Sequence, residues 1–160
     1  MLLPVVCVAE IVELPKCNAR ISGDLKRVRI QEGEGTGQPE YHQYVVHIGK
    51  DVVVHVMKLD FPDFALFGKT SDEILDETIH SVINTMNKAA YENADILGIQ
   101  PTSYNDFPGR IVTINATKVG YLQRTKAFLK DQSVIVASVV GPVNAIGERE
   151  NQIFESFMFW

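Results

Sequence analysis

Hydrophobic residues alternate with polar ones in the first half of the chain. The runs Y-H-Q-Y-V-V-H-I and V-V-V-H-V-M-K-L flank G-K-D at residues 49–51. Two β-branched runs around a short turn with a glycine are typical of a β-hairpin. The second strand is predicted to end at Asp60-Phe61-Pro62, because proline has no amide hydrogen for a sheet ladder.

Between residues 71 and 94 the spacing of apolar residues changes to three and four. They form one stripe, which consists of Ile74, Leu75, Ile79, Val82, Ile83, Met86, Ala89 and Ala90. This predicts a long helix that covers one face of a sheet. The preceding T-S-D-E, residues 70–73, predicts a capping box between Thr70 and Glu73.

Other segments complete the predicted elements. Strands are expected at Val5–Leu14, 25–30, Ile96–Tyr104, Arg110–Thr117 and Tyr121–Leu129, and a central strand covered on both sides at Ser133–Val140. The glycine-rich residues 32–39 predict a loop. A last helix, capped by Asn144, is expected to carry Ile146, Ile153, Phe154 and Phe157.

A second Asp-Phe-Pro triplet, residues 106–108, precedes Gly109. We expect Gly109 to adopt a positive φ there and turn the chain into the next strand. Short turns between strands favour antiparallel pairing. The sequence therefore predicts one α+β domain over residues 1–160, an antiparallel β-sheet flanked by helices.

Three motifs are similar to one known family. They are F-P-G-R-I-V-T-I from residue 107, G-Y-L-Q-R-T-K-A-F-L-K-D-Q-S-V-I-V-A-S-V-V-G-P from residue 120, and I-F-E-S-F from residue 153. Together with the upstream hairpin and the capped helix, they resemble the PsbP-like/DcrB-like superfamily over about residues 40–158. The resemblance implies an α/β/α sandwich.

The resemblance also implies a protein without enzymatic activity or a cofactor. Members of the group include extrinsic photosystem II subunits, a Ran-binding nuclear import factor, bacterial envelope lipoproteins and chaperones of secretion effectors, which bind other proteins. Fold alone does not determine function. A periplasmic or envelope-associated location is favoured over the cytoplasm.

Charge and composition exclude some functions. The net charge is −5 and the 15 Lys and Arg residues are scattered, so no basic stripe for nucleic acid is expected. No segment reaches the ~18 apolar residues of a membrane-spanning helix. Cys7 and Cys17 lack the spacing of a zinc site, and either free thiols or a disulfide fit them.

Candidate chemistry is sparse, and no catalytic or metal-binding residue is predicted. His47 and His55 are expected to share a face of the first hairpin, but no third ligand follows at metal-site spacing. Asp72 with Asp76, and Glu73 with Glu77, are interpreted as solvated or capping carboxylates. Arg110 is expected to pair with Asp106 or Glu155 rather than to bind an anion.

Two aromatic segments are candidates for partner binding. Phe61, Phe64 and Phe67 lie in a connection, where polar residues are usual, and the favoured interpretation places them under the long helix. If exposed, they would form a patch that anchors a partner. Trp160 ends an apolar terminus that could dock on its own domain, on a second copy in a homo-oligomer, or on a client.

The leading hypothesis is therefore a protein-binding or accessory module, either envelope-associated or a chaperone-like adaptor. The partner-binding residues are Phe61, Phe64, Phe67 and Trp160. A small-ligand or metal-binding extracytoplasmic protein is the alternative.

Overall fold

The computed structural model describes residues 10–23, 29–33, 39–90, 95–116 and 120–160. Its strands are β1 (Glu10–Leu14), β2 (Ala19–Gly23), β3 (Arg29–Gly33), β4 (Glu40–Ile48), β5 (Val52–Asp60), β6 (Asp95–Tyr104), β7 (Phe107–Ala116), β8 (Tyr121–Lys130), β9 (Ser133–Pro142) and β10 (Met158–Phe159). The α-helices are α1 (Asp63–Leu66), α2 (Ser71–Ala90) and α3 (Val143–Ser156), and a 3-10 turn covers Pro15–Cys17.

The strands form two antiparallel sheets. Among the described residues, the larger sheet has seven strands in the order β3-β4-β5-β9-β8-β7-β6, and the smaller has three in the order β1-β2-β10. The predicted hairpin is confirmed, with Ile48 opposite Val52 and Glu40 opposite Asp60. The α+β class with an antiparallel sheet flanked by helices is confirmed as well.

Strand β9 lies in the middle of the seven-stranded sheet, as predicted, and eight of its ten residues are buried. Its side chains alternate between two apolar clusters. Val134 and Val136 join the cluster beneath α2. Ile135, Ala137 and Val139 join the cluster that contains α3 and the small sheet. The central sheet is therefore covered on both faces.

Helix α2 begins with the predicted capping box. The Thr70 amide donates to Glu73 Oε2 at 2.7 Å, and the Glu73 amide donates to Thr70 Oγ1 at 3.3 Å. The hydrogen bond from the Thr70 amide to the Glu73 carboxylate, and secondly one of 2.9 Å from the Thr70 hydroxyl, lower the pKa of Glu73. Within the stripe, Ile74, Leu75, Ile79 and Ile83 are buried, while the side chains of Met86, Ala89 and Ala90 lie outside the described part.

Several predicted boundaries fall outside the described residues. These are residues 5–9 of the first strand, 25–28 of the next, 34–38 of the glycine-rich loop, 91–94 at the end of the long helix, and 117–119 before Gly120. Within the described part, β3 continues to Gly33, so the loop begins later than predicted.

The prediction that Asn144 caps the last helix is wrong. Helix α3 starts at Val143, the cap position is held by Pro142, and no side chain caps it. Proline fixes φ near the value that a helix requires, so the chain enters the helix two residues earlier than predicted. A kink at Gly147 follows. Ile146, Ile153 and Phe154 lie in this helix as predicted, whereas Phe157 follows its last residue, and all four are buried.

The prediction that Gly109 turns the chain is also wrong. The turn lies at Asn105 and Asp106, whose φ values are 46° and 67°. Two consecutive positive φ values are typical of a two-residue type I′ hairpin, and the short side chains of Asn and Asp tolerate them. Gly109 instead pairs with Phe128 inside β7, where a Cβ would lie 2.5 Å from the ring and 2.6 Å from the Ala127 oxygen.

The edge of the larger sheet that is formed by β6 is irregular. A register shift lies between Ile96 and Gly98 of β6, and Pro101 stands opposite Arg110. Bulges and prolines are common where an edge strand must remain unpaired.

Gly109→Ala should destabilise the protein by about 1–3 kcal/mol, because the new methyl group overlaps backbone as well as a ring. Urea unfolding followed by circular dichroism measures the change. Gly98→Ala is the matched control, since a Cβ there meets nothing within 4 Å. Equal stabilities of the two variants would contradict the close approach at Gly109.

Candidate functional site

The connection between β5 and α2, residues 61–68, is here called the aromatic loop. Its sequence is F-P-D-F-A-L-F-G, and it contains the single turn of α1. Phe61 and Leu66 are partly buried and pack against the cluster beneath α2. Phe64 and Phe67 are instead 70% and 91% exposed. Sequence analysis predicted all three rings under the helix, which is correct for Phe61 and wrong for Phe64 and Phe67.

The local geometry explains this division. Residues three apart lie on the same side of a helical turn, so Phe64 and Phe67 share a side. The other side, with Phe61 and Leu66, already fills the space next to the core. One turn of helix cannot bury both sides at the edge of a sheet, and the two remaining rings point into solvent.

The aromatic loop is fixed at its start to the turn between β8 and β9. The Phe61 amide donates to the Gln132 oxygen at 3.0 Å, and the Gln132 side chain donates to Asp63. Within the loop the Ala65 amide donates to the Pro62 oxygen at 2.9 Å, and just after the loop the Lys69 amide donates to the Leu66 oxygen at 3.1 Å. Gly68 has a φ of 75°, which glycine adopts without strain. The two exposed rings are therefore held on a defined backbone.

Trp160 lies elsewhere. Strand β10 pairs with β2, and the Trp160 amide donates to the Asn18 oxygen at 2.9 Å, so the C-terminal backbone docks on its own domain. Phe157 and Phe159 are buried, whereas Trp160 is 52% exposed. Phe61 packs with α2 and β10 packs on the other face of the sheet. The structure thus does not bring the four candidate residues together.

His47 and His55 share a face of the β4–β5 hairpin, as expected. They lie on the face opposite Val46, Val54 and Val56, which belong to the cluster that contains α3 and the small sheet. Gln43 Nε2 lies 2.7 Å from His55 Nδ1, within hydrogen-bond distance. Burial, and secondly the charge of His47, lower the pKa of His55.

Within the described ranges, no three His, Cys, Asp or Glu side chains come close enough to hold a metal ion. His55 neighbours a row of hydroxyl and amide side chains instead. It stands opposite Ser138 on β9. Ser138 Oγ lies 2.8 Å from Thr125 Oγ1, which accepts a hydrogen bond of 3.1 Å from Gln123 Nε2. Gln43, His55, Ser138, Thr125 and Gln123 are called the polar row below.

Sequence analysis missed the polar row. Ser138 was included in an apolar run with almost no polar face, yet it is buried with 2% exposure and hydrogen-bonded. The signal that could have revealed it is the alternation of side chains between the two faces of a strand. Strands β8 and β9 each carry a small hydroxyl side chain on the face that otherwise receives α2, and buried hydroxyl groups need partners.

Arg110 fastens α2 to the sheet. Its Nη2 and Nε lie 2.6 and 2.8 Å from the Asp72 and Asp76 carboxylates, and its Nη1 donates to the Gly109 oxygen at 3.1 Å. The hydrogen bond to Asp72, with Asp76 beside it, raises the pKa of Arg110. The predicted partners, Asp106 and Glu155, were wrong. Asp72 and Asp76 are four residues apart, so one helical face presents both carboxylates to the guanidinium.

Cys17 has a free, fully buried thiol, while Cys7 lies outside the described residues. The Cys17 Sγ lies 3.2 Å from the His42 backbone oxygen and 3.6 Å from the Val56 backbone oxygen. Burial raises the pKa of this thiol to about 12. A thiol of this kind is unreactive, because the thiolate is the nucleophilic form.

One solved structure is similar over the whole chain. It is the solution structure of cyanobacterial PsbP (CyanoP) from Synechocystis sp. PCC 6803, with a TM-score of 0.63 at 10% identity, covering 100% of this chain and 98% of that chain. The chain has a PsbP-like fold. The resemblance seen in the sequence motifs is thereby confirmed for the fold.

Other comparisons add less to the PsbP-like assignment. A protein of unknown function, PA94 from Pseudomonas aeruginosa, described as a putative regulator, matches with a TM-score of 0.46 and 6% identity over 89% of each chain. That similarity is too weak to support an argument. No protein-family model matches the chain, and no curated protein matches it. Of the helices in the described part, none has the length and apolar character needed to cross a membrane.

His55 should make this PsbP-like domain less stable in mild acid. The folded-state pKa is lowered from the ordinary value of 6.5, so the unfolded chain binds a proton more readily. The contribution of neutral His55 is complete above that value and is lost as pH falls through the folded-state pKa. Urea unfolding from about pH 7.5 to about pH 5 measures this loss.

His55→Gln should flatten that pH dependence. His80→Gln is the control, since His80 is exposed on α2 and its replacement disturbs no buried hydrogen bond. An unchanged slope in the His55 variant would show that other groups cause the acid sensitivity.

Proposed function

We propose that this protein is a non-enzymatic accessory module that binds another protein through the aromatic loop. The observation that carries the proposal is the exposure of Phe64 and Phe67 on a hydrogen-bonded backbone. Aromatic side chains are the usual anchors of protein interfaces, and a fixed backbone reduces the entropy lost on binding.

Size and charge indicate what the partner presents. Two phenylalanine side chains bury about 300–500 Å² in total, which is less than the roughly 800 Å² that each partner contributes to a stable interface. The contact must therefore extend to the neighbouring surface, where Asp63, Asp72 and Glu77 are exposed and outnumber the exposed Lys69, which pairs with Glu77. We propose a partner with an apolar depression bordered by lysine or arginine residues.

We also propose that residues 1–160 act as a single domain and that the protein works in the periplasm or at the cell envelope. Coverage of 98% of the PsbP structure by this chain supports the single domain. The location rests on the family resemblance of the sequence motifs.

Photo-crosslinking in the source organism tests the proposed surface. With p-benzoylphenylalanine in place of Phe67, we expect a discrete cross-linked partner that mass spectrometry can identify. The same label in place of Val143, which is 49% exposed at the start of α3, is the matched control. Identical products from both positions would contradict binding through the aromatic loop.

Phe64→Ser and Phe67→Ser should each weaken binding to the identified partner about thirty-fold, as expected for an interface anchor worth about 2 kcal/mol. Isothermal titration calorimetry measures the affinity, and Val143→Ser is the control. Because both rings are exposed, the urea midpoint should remain that of the unmodified protein. An unchanged affinity in the Phe67 variant would overturn the proposal.

A further inference from the structure

We propose that a groove between the end of α3 and strand β8 binds a small amphipathic carboxylate with an aromatic body. None of the lining residues belongs to the aromatic loop, so this site is separate from the proposed partner surface. The groove has a volume of about 340 Å³ and is lined by Tyr104, Lys126, Phe128, Phe154, Glu155, Phe157 and Met158. Small-molecule sites in proteins usually measure roughly 300–1,000 Å³.

The walls of the groove are aromatic and fixed. The Tyr104 ring lies 5.8 Å from that of Phe128 and 4.6 Å from that of Phe159, and the Phe128 and Phe159 rings are 5.3 Å apart. Phe159 is buried and thus anchors both rings from behind. Rings held by such contacts cannot collapse into the groove, and they present apolar surface to an aromatic ligand.

Lys126 provides the charge that selects an anion. It stands opposite Ala137 of the central strand, and its Nζ lies 4.7 Å from the centre of the Phe154 ring. On the same face of β8, Arg124 Nε already pairs with Glu150 at 3.0 Å. Lys126 has no ion-pair carboxylate within the described ranges. A half-buried ammonium group with only a ring beside it leaves its donors for a ligand carboxylate.

Glu155 disfavours the binding of an anion in the groove. It is exposed and is the one acidic residue in the lining. Its charge repels an anion and partly offsets the attraction of Lys126. The two residues therefore make opposite contributions to the binding of a carboxylate, which gives the proposal a test in two directions.

Titration of the complete protein with 4-phenylbutanoate, followed by two-dimensional NMR, tests this site. We expect a dissociation constant of about 1 mM or below, as is usual for so small a ligand. The largest shifts should occur at Tyr104, Phe128 and Phe154. The neutral 4-phenylbutanamide should bind about tenfold more weakly, because it lacks the charge-assisted contact.

Two variants give opposite results if the proposal is correct. Lys126→Gln should weaken 4-phenylbutanoate about tenfold, whereas Glu155→Gln should strengthen it, and neither should alter the affinity for the amide by more than about twofold. Phe67→Ser should leave the affinity for 4-phenylbutanoate unchanged. Failure of the partner surface and failure of the groove are thus distinguishable.

The proposal is overturned if shifts occur at the aromatic loop instead of the groove, or if acid and amide bind equally. It is also overturned if Glu155→Gln folds normally and does not tighten binding of the acid. That variant changes an exposed side chain, so the test does not depend on the folding of Lys126→Gln.

Discussion

The packing of β9 on both of its faces is the constraint on which the structure depends. Helix α2 has its apolar partners on one face of this strand, and α3 with the small sheet has its partners on the other. A polar side chain in β9 is therefore tolerated only with a partner, and Ser138 has one in Thr125. The position of every candidate surface is set by which parts of this two-sided core remain uncovered.

Two uncovered parts differ in chemistry. At one end of the sheet, the aromatic loop presents Phe64 and Phe67 next to acidic residues of α2. On the opposite face, the groove combines fixed aromatic walls with Lys126. The first presents two exposed rings and suits a macromolecule, while the second is a groove and suits a small molecule. A PsbP-like scaffold can carry both because neither contributes to the central packing.

Most of the fold could be predicted from local patterns. The alternation around residues 49–51, the stripe from Ile74 to Ile83 and the unbroken apolar run of β9 each follow from one physical rule, and the structure confirms them. The errors arose where two rules competed. Gly109 was expected at a turn because of its backbone freedom, but a glycine is needed there because the Phe128 ring approaches its backbone closely.

The candidate site was harder to predict, because exposure depends on what else fills the available space. Phe61 and Phe67 have the same side chain and lie in the same loop, yet only Phe61 reaches the core. Arg110 shows the same limit, since its partners come from a helix 34 and 38 positions earlier in the chain. Local sequence indicates that such a residue needs a partner, and only the tertiary structure identifies it.

The interrupted edge at β6 has a consequence for how copies of this protein meet. A shifted register and a proline deprive the strand of the regular row of donors that another strand would need. Pairing of β6 strands from different copies into fibrils is therefore disfavoured even when the protein is concentrated. Recognition there has to rely on side chains instead of shared backbone ladders.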